Sequence, residues 1–327
     1  MKLSRQLHPP SPPAKIRRSL ALAFTSGAVL LCAGMAGCSG GGSKKPKPDE
    51  GLASALESAT KAYSKGDLSG AESGYRMALA RARAMDDALA TGDAAYNLAL
   101  CLARKGEFDP AKAFLAESRR SYARTSVLPD DVLVLESRIA LRRGKTVLAR
   151  ELATAVLNRQ KRTGGSGALK ANLLLAEVAL EEKKAGEAAT HLAAMGRAPK
   201  DAWEDGLRAR YEHALARVAA ADDQWASSAG HREKEAAEWR SAKRYAQMAK
   251  ALGRAGDARM KAGEPSAAFD LYYRAAASFH GQGDILQAVD IYGKTLEAAE
   301  RAGMRELPAE AGNLFREIQA SLEESED

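Results

Sequence analysis

The turn Gly66-Asp67-Leu68 returns as Gly106-Glu107-Phe108, as Gly144-Lys145-Thr146 and, with lysine in place of glycine, as Lys183-Lys184-Ala185. Successive copies lie 40, 38 and 39 residues apart. Five residues after the first position of each copy stands an alanine: Ala71, Ala111, Ala149 and Ala188. Four residues further on come Tyr75, Leu115, Ala153 and Leu192. A fixed period of this size restricts the chain to a stack of supersecondary units, because no single unit can bury its apolar face alone.

A second set of small residues says what each unit is. Seven residues before each turn stands Ala59, Ala99, Ser137 or Ala176. A small side chain on each of two antiparallel helices lets their axes approach, while Leu98, Leu135 and Leu175 fill the flanks. Glycine ends the first helix where φ must be positive. Asp67 and Glu107 open the second, where a helix N-terminus favours negative charge. This pattern resembles the tetratricopeptide (TPR) family, whose hallmark is a small–large–small code around a Gly-Asp-aromatic turn. The resemblance covers roughly residues 52–300. It implies an all-α, right-handed superhelical solenoid of antiparallel helix pairs. The chain departs from the family in its period, longer than the usual ~34 residues, and in lacking the fourth-position Trp and the closing Pro. A solenoid of another superhelical family is the alternative.

The spacing divides the chain further. Residues 52–223 read as repeats with tight turns inside each pair and longer polar joints between pairs, at Asp86-Asp87, Leu128-Pro129-Asp130-Asp131, Thr163-Gly164-Gly165-Ser166-Gly167 and Pro199-Lys200-Asp201. The glycine run at 164–167 lacks the strand and the Gly-Lys-Ser/Thr ending of a phosphate loop and reads as a plain joint. Residues 224–303 fall into twenty-residue blocks, each a helix and a turn, ending at Lys243, Gly263, Gly283 and Gly303. In residues 304–327, Leu307, Ala311, Leu314, Ile318 and Leu322 share one helical face, as a capping helix with one wet side requires, followed by an acidic tail.

The amino end reads as an export signal. Residues 1–18 carry five basic side chains and no acid; an apolar or small stretch from Leu20 to Ala36 leads into Met35-Ala36-Gly37-Cys38. That tetrapeptide resembles the bacterial lipobox, with Met where Leu is usual. The resemblance implies cleavage after Gly37, acylation of Cys38 (palmitate among the chains) and a lipidated linker over 38–51. An uncleaved anchor and an ordinary signal peptide are the alternatives. The choice between the general secretory and twin-arginine routes stays open, as do the true start codon and the inner or outer membrane, although Ser39 after the cysteine favours the outer membrane by the sorting rule of some bacteria. The expected location is the bacterial cell envelope, lipid-anchored and facing the periplasm.

Removing residues 1–37 takes five of the 49 basic residues and none of the 42 acids, so the formal charge falls from +7 to +2. No basic stripe with interleaved aromatics is left to argue for nucleic acid. Cys101 is then the one thiol outside the signal and lipobox, a small hydrophobe on an apolar helix face. His191, His213, His231 and His280 show no metal spacing, and no nucleophile elbow, dinucleotide fingerprint or P-loop is present. No cofactor, no metal and no enzymatic activity are expected.

Binding is what the pattern leaves. In TPR proteins the first helices of successive pairs line a concave groove that holds a peptide, and the resemblance carries that role onto Tyr96, Asn97, Leu100 and Arg104, then Val134, Arg138, Leu141 and Arg142, then Leu173, Glu177, Leu180 and Glu181. Arg104, Arg138 and Arg142 read either as a positive patch suited to carboxylates or an acidic peptide segment of a partner, or as ordinary solubilising charges on a repeat surface. A second candidate surface is the aromatic run Phe269, Tyr272, Tyr273, Phe279 and Tyr292, half of which helical spacing assigns to the core. Two functions follow: a membrane-anchored, non-catalytic scaffold or assembly factor for other envelope proteins, or a module that captures peptide or glycan fragments. Oligomeric state and partner identity are not encoded in the pattern.

Overall fold

The computed structural model describes residues 49–126, 128–163, 167–196, 203–204 and 206–326. The signal and lipobox through Cys38, the Ser39–Ser43 tract and the joints at 164–166 and 199–201 lie outside them. Helix occupies 84% of the described residues, in fourteen helices with no strand among them. They are α1 (Glu50–Lys65), α2 (Leu68–Ala84), α3 (Ala88–Lys105), α4 (Phe108–Ala123), α5 (Asp130–Arg142), α6 (Thr146–Thr163), α7 (Gly167–Glu181), α8 (Ala185–Gly196), α9 (Leu207–Ala221), α10 (Trp225–Ser241), α11 (Tyr245–Lys261), α12 (Pro265–His280), α13 (Ile285–Arg301) and α14 (Ala309–Glu326). Each helix packs on the next, and α3–α5, α5–α7 and α7–α9 also touch, so the odd-numbered helices from α3 to α9 form one continuous layer.

The expected turns are Schellman closures. Gly66 sits at φ 88° and the Asp67 N–H reaches back to the Ala62 carbonyl at 3.0 Å. The same bond recurs at Glu107 to Leu102, Lys145 to Ala140, Lys184 to Ala179, Gln224 to Ala219, Arg244 to Trp239 and Glu264 to Arg259. The joint after α2 is closed in the same way, by Asp87 to Ala82 with Asp86 at φ 49°. The first joint is therefore as tight as the turns, and the twenty-residue rhythm read from Gln224 onward already runs through Gly66, Asp86, Gly106 and Ser126. Asp67 caps α2 through its carboxylate, whereas Glu107 turns away to Lys105 at 2.6 Å.

The small residues lie where the helices cross. Ala59, Ala71, Ala99, Ala111, Ala149, Ala176 and Ala188 are buried to 1% exposure or less. At two crossings serine adds a hydrogen bond across the gap. Ser137 on α5 donates to the Ala149 carbonyl on α6 at 2.7 Å. Ser228 on α10 donates to the Ala216 carbonyl on α9 at 2.9 Å, the same contact with the donor on the opposite helix. Burial without desolvation loss is the result, because each hydroxyl satisfies itself on the neighbour. Cys101 is buried as expected, its thiol toward the Leu68 carbonyl at 3.3 Å.

The last pair departs from the code. Leu296 replaces the small residue and is exposed, and α14 crosses both α12 and α13. Ala311, Leu314 and Ile318 bury as the capping face, Tyr292 donates to the Ala311 carbonyl at 2.9 Å, and its ring stacks on Phe315. The aromatic run, a candidate second surface with half of its residues expected in the core, is core nearly throughout: Phe269, Tyr272, Phe279 and Tyr292 are buried and Tyr273 packs against them. Their spacing matches the helix period, so burial against α11 and α13 takes the side chains that exposure would need.

Candidate functional site

A concave cavity of about 920 Å³ opens along the odd-numbered helices. Its wall comes from Tyr63 on α1, Leu100 and Arg104 on α3, Arg138, Leu141 and Arg142 on α5, and Glu177 and Glu181 on α7. Beyond these stand Arg210, His213 and Arg217 on α9, Glu235 and Trp239 on α10, and Gln247, Lys250 and Arg254 on α11. Helical geometry explains the membership: side chains three, four or seven apart share a face, and each set above is so spaced.

Of the sequence-derived groove residues, the structure brings Leu100, Arg104, Arg138, Leu141, Arg142, Glu177 and Glu181 to this cavity. Tyr96 and Asn97 are half-buried on α3 and are not among the lining side chains. Val134, Leu173 and Leu180 are buried in the cores between helices. The residues that sequence reasoning missed include Tyr63 on α1 and Lys105 on α3, and otherwise come mainly from α9 to α11. The turn Asp222-Asp223-Gln224, with Ala216 seven before Asp223 and Ser228 five after, carries the code for that pair without a glycine.

Charge in the cavity is unequal. Eight cationic side chains (Arg104, Lys105, Arg138, Arg142, Arg210, Arg217, Lys250, Arg254) line it against the three acids Glu177, Glu181 and Glu235. The acids are taken. One Arg210 nitrogen, Nη2, reaches both Glu177 oxygens at 2.8 and 2.9 Å, and Arg217 reaches Glu181 at 2.9 Å. Glu235, 3% exposed, accepts from Arg254 at 2.9 Å and from Arg232 at 3.1 Å, and its carboxylate lies 3.1 Å from the His213 ring. Burial works to raise the Glu235 pKa, but His213, Arg254 and Arg232 outweigh it and hold the carboxyl below its usual range. Glu177 shows the same balance: burial against it, Arg210 and Arg138 prevailing.

The cations are not all matched. Arg104 is held by its own fold, donating to the Tyr63 carbonyl at 3.0 Å with its guanidinium over the Tyr63 ring at 4.9 Å. Arg142 and Lys250 make no ion pair among the described residues. Arg138 is half-buried, and its Nε is shut off from solvent with no hydrogen-bond partner among the described residues; the Nε of Arg254 is in the same state. Arg210, and then burial, push the Arg138 pKa down to about 10. Among the described residues no cluster of three or more His, Cys, Asp or Glu side chains is placed to hold a metal ion, and no helix is long and apolar enough to cross a membrane.

No protein-family model and no curated protein sequence matches the chain. Solved structures do resemble it. The apo form of RapI is 13% identical over 77% of this chain and 98% of that one, with a TM-score of 0.50. A Rap protein complexed with Competence and Sporulation Factor is 14% identical over 85% and 99%, with a TM-score of 0.52. A tetratricopeptide repeat protein from Parabacteroides merdae is more distant, 12% identical over 83% and 100%, with a TM-score of 0.43. At these identities the likeness speaks for fold alone. The chain has the fold of a TPR-like helical solenoid, a stack of antiparallel helix pairs with a concave inner wall.

Proposed function

We propose that this chain is a lipid-anchored, non-catalytic scaffold or assembly factor of the bacterial cell envelope, holding an acidic segment of a partner protein in its concave groove. The observation that carries the reading is the excess of cations in the cavity, with each of the three lining acids already paired inside the protein. A concave wall limits screening by salt, and guanidinium forks suit carboxylates, so such a surface recruits acidic chain better than a flat one of equal charge. A protein of this fold has been captured in complex with Competence and Sporulation Factor, so the architecture accommodates a bound partner. Anchoring rests on Cys38 and the signal before it. Acylation at more than one position there meets the two-signal requirement for stable attachment.

The test pairs two variants. Arg142→Glu with Lys250→Glu inverts charge at two cavity cations that form no ion pair among the described residues, whereas Arg104 is committed to Tyr63. Isolation from detergent-solubilised envelope should recover a stoichiometric protein partner with the parent and lose it with the double variant. Equal recovery at low salt sinks the groove assignment. Cys38→Ala should leave an unprocessed precursor or a protein missing from the membrane fraction; normal processing and retention rule out the anchor. The capture of a peptide or glycan fragment is the second reading, favoured by a volume of about 920 Å³ within the range of small-molecule sites. It predicts a bound small molecule and no protein partner in the same isolation.

A further inference from the structure

The seventh pair lacks a second helix where the repeat places one. In the six earlier pairs that helix begins two residues after the left-handed closure, at Leu68, Phe108, Thr146, Ala185, Trp225 and Pro265. After Gly303 it begins six residues on, at Ala309. Pro308 keeps Leu307 out of helical backbone, so α14 starts late and lies across α12 and α13 instead of along α13. The face of α13 that a second helix would cover is left open. The position seven before the closure is buried at Ala59, Ala99, Ser137, Ala176, Ala216 and Gly256, but in the seventh pair it is Leu296, 40% exposed. Fourteen before the closure, Gly92, Leu169, Ala209 and Ala249 are buried, whereas Val289 is exposed.

The open face is apolar and continuous. Leu286, Val289, Gly293 and Leu296 stand at i, i+3, i+7 and i+10, one stripe about 15 Å long. Leu286 is 74% exposed, and a Cβ added to Gly293 would meet nothing within 4 Å. Phe315 borders the stripe, its ring stacked on Tyr292, which lies one turn from both Val289 and Leu296. The free charge beside the stripe is negative. Lys294 is taken by Asp257 at 3.0 Å and Arg301 by Glu297 at 2.8 Å, while Asp290 and Glu300 are exposed with no ion pair among the described residues.

From this vacancy we infer that the open face of α13 docks an amphipathic helix of a partner protein, with an apolar stripe flanked by Lys or Arg, in the place that the chain's own second helix leaves empty. The six equivalent faces are each covered by a helix, which specifies the shape of the occupant. Asp290 and Glu300 specify its flanks: a second copy of the same face, or an anionic lipid surface, would set like charges against them. Leu296 fills the gap that a small residue leaves at the other crossings, so the occupant supplies the small residue there. None of these side chains lines the concave cavity, and the inference stands apart from the reading of the groove.

The test uses the full chain and fluorescein-labelled, end-blocked helical peptides of about fifteen residues, read by anisotropy. The first carries leucines at the spacing of the stripe, lysines beside them and alanine elsewhere. The second has glutamine for each lysine, and the third holds the residues of the first in an order that breaks the stripe. The parent should bind the first several-fold more tightly than the second and roughly tenfold more tightly than the third. The cationic groove repels the first peptide and cannot imitate that order. Gly293→Gln adds bulk where the free protein has open space: stability should equal or exceed the parent's, and binding should weaken about tenfold. Leu286→Gln, at a side chain that supports nothing in the fold, should weaken it about fivefold or more. Asp290→Asn with Glu300→Gln should remove the preference for lysine over glutamine. Val147→Gln, an equally exposed apolar site on α6, should change binding less than about twofold. The docking face is wrong if the Gly293 and Val147 variants bind alike, or if the first peptide binds no better than the third or not at all below about 1 mM. A parent that sediments as a dimer, with Gly293→Gln a monomer, would give the face to a second copy and overturn the partner helix.

Discussion

Among the described residues five non-glycine side chains stand in the left-handed region: Asp86, Ser126, Lys183, Asp223 and Lys243. Each closes a helix as glycine does at Gly66 or Gly263, yet each carries a Cβ that crowds the following carbonyl. Lys243, at φ 56°, gives the cleanest comparison, because Gly263 holds the same place one block later at φ 76°. Lys243→Gly should stabilise the protein by about 1 kcal/mol, the strain relieved less the added freedom of the unfolded chain. Denaturant midpoints at constant slope measure it, and a destabilised variant would show that the lysine compensates through contacts elsewhere. This is also where sequence reading reached its limit. Glycine announces a positive φ; aspartate, serine and lysine do not, and so the closures at Asp86 and Asp223 went unread although Ala216 and Ser228 keep the small positions around Asp223.

Between elements, the small–small crossings decide how closely the pairs pack. Ala111 is fully buried, and alanine there admits α4 to the α3 surface beside Ala99. Ala111→Leu should cost about 1–3 kcal/mol by overpacking, read as a lower midpoint in chemical unfolding; a variant as stable as the parent would show that the pair can shift apart without loss. Elsewhere the gap is set by glycine. A Cβ on Gly256 would meet the Tyr272 ring at 2.6 Å, and the neighbouring Asp257 takes the Tyr272 hydroxyl at 2.8 Å. Gly92 and Asp93 treat Tyr122 in the same way, the ring 3.0 Å from an added Cβ and the hydroxyl bonded to Asp93. The alanine code was legible because it repeats at a fixed offset. These glycine–aspartate seats for tyrosine were not, since Tyr122 and Tyr272 fall at different distances from their turns.

At the scale of the whole molecule, the cavity exists because many pairs add small rotations until α11 faces the same space as α3 and α5. A repeat pattern reports the period but not the accumulated curvature. Arg138, Arg142, Glu177 and Glu181 could therefore be placed on the inner wall from sequence, while Lys250, Arg254 and the α10 residues Glu235 and Trp239 could not. The paired acids also tie stability to pH. Glu177 and Glu235 have folded pKa values below the ordinary 4.5, so their contribution is complete above that value and is lost as pH falls through the folded values. Unfolding free energy should fall as pH drops from about 5 to about 3, and Glu177→Gln should flatten part of that slope. An unchanged slope in the variant would show that Glu177 does not contribute.

The claim that the concave wall receives an acidic protein segment is tested most directly by crosslinking in the intact cell envelope. A photo-crosslinking residue at Gln247, inside the cavity, is compared with one at Leu148, exposed on α6 and not among the cavity's lining side chains. The account predicts a discrete adduct from position 247 alone, in which the crosslinked partner peptide is rich in Asp and Glu and is lost when Arg142→Glu and Lys250→Glu are added. Equal adducts from both positions, or an adduct at 247 that survives the charge reversal, would contradict it.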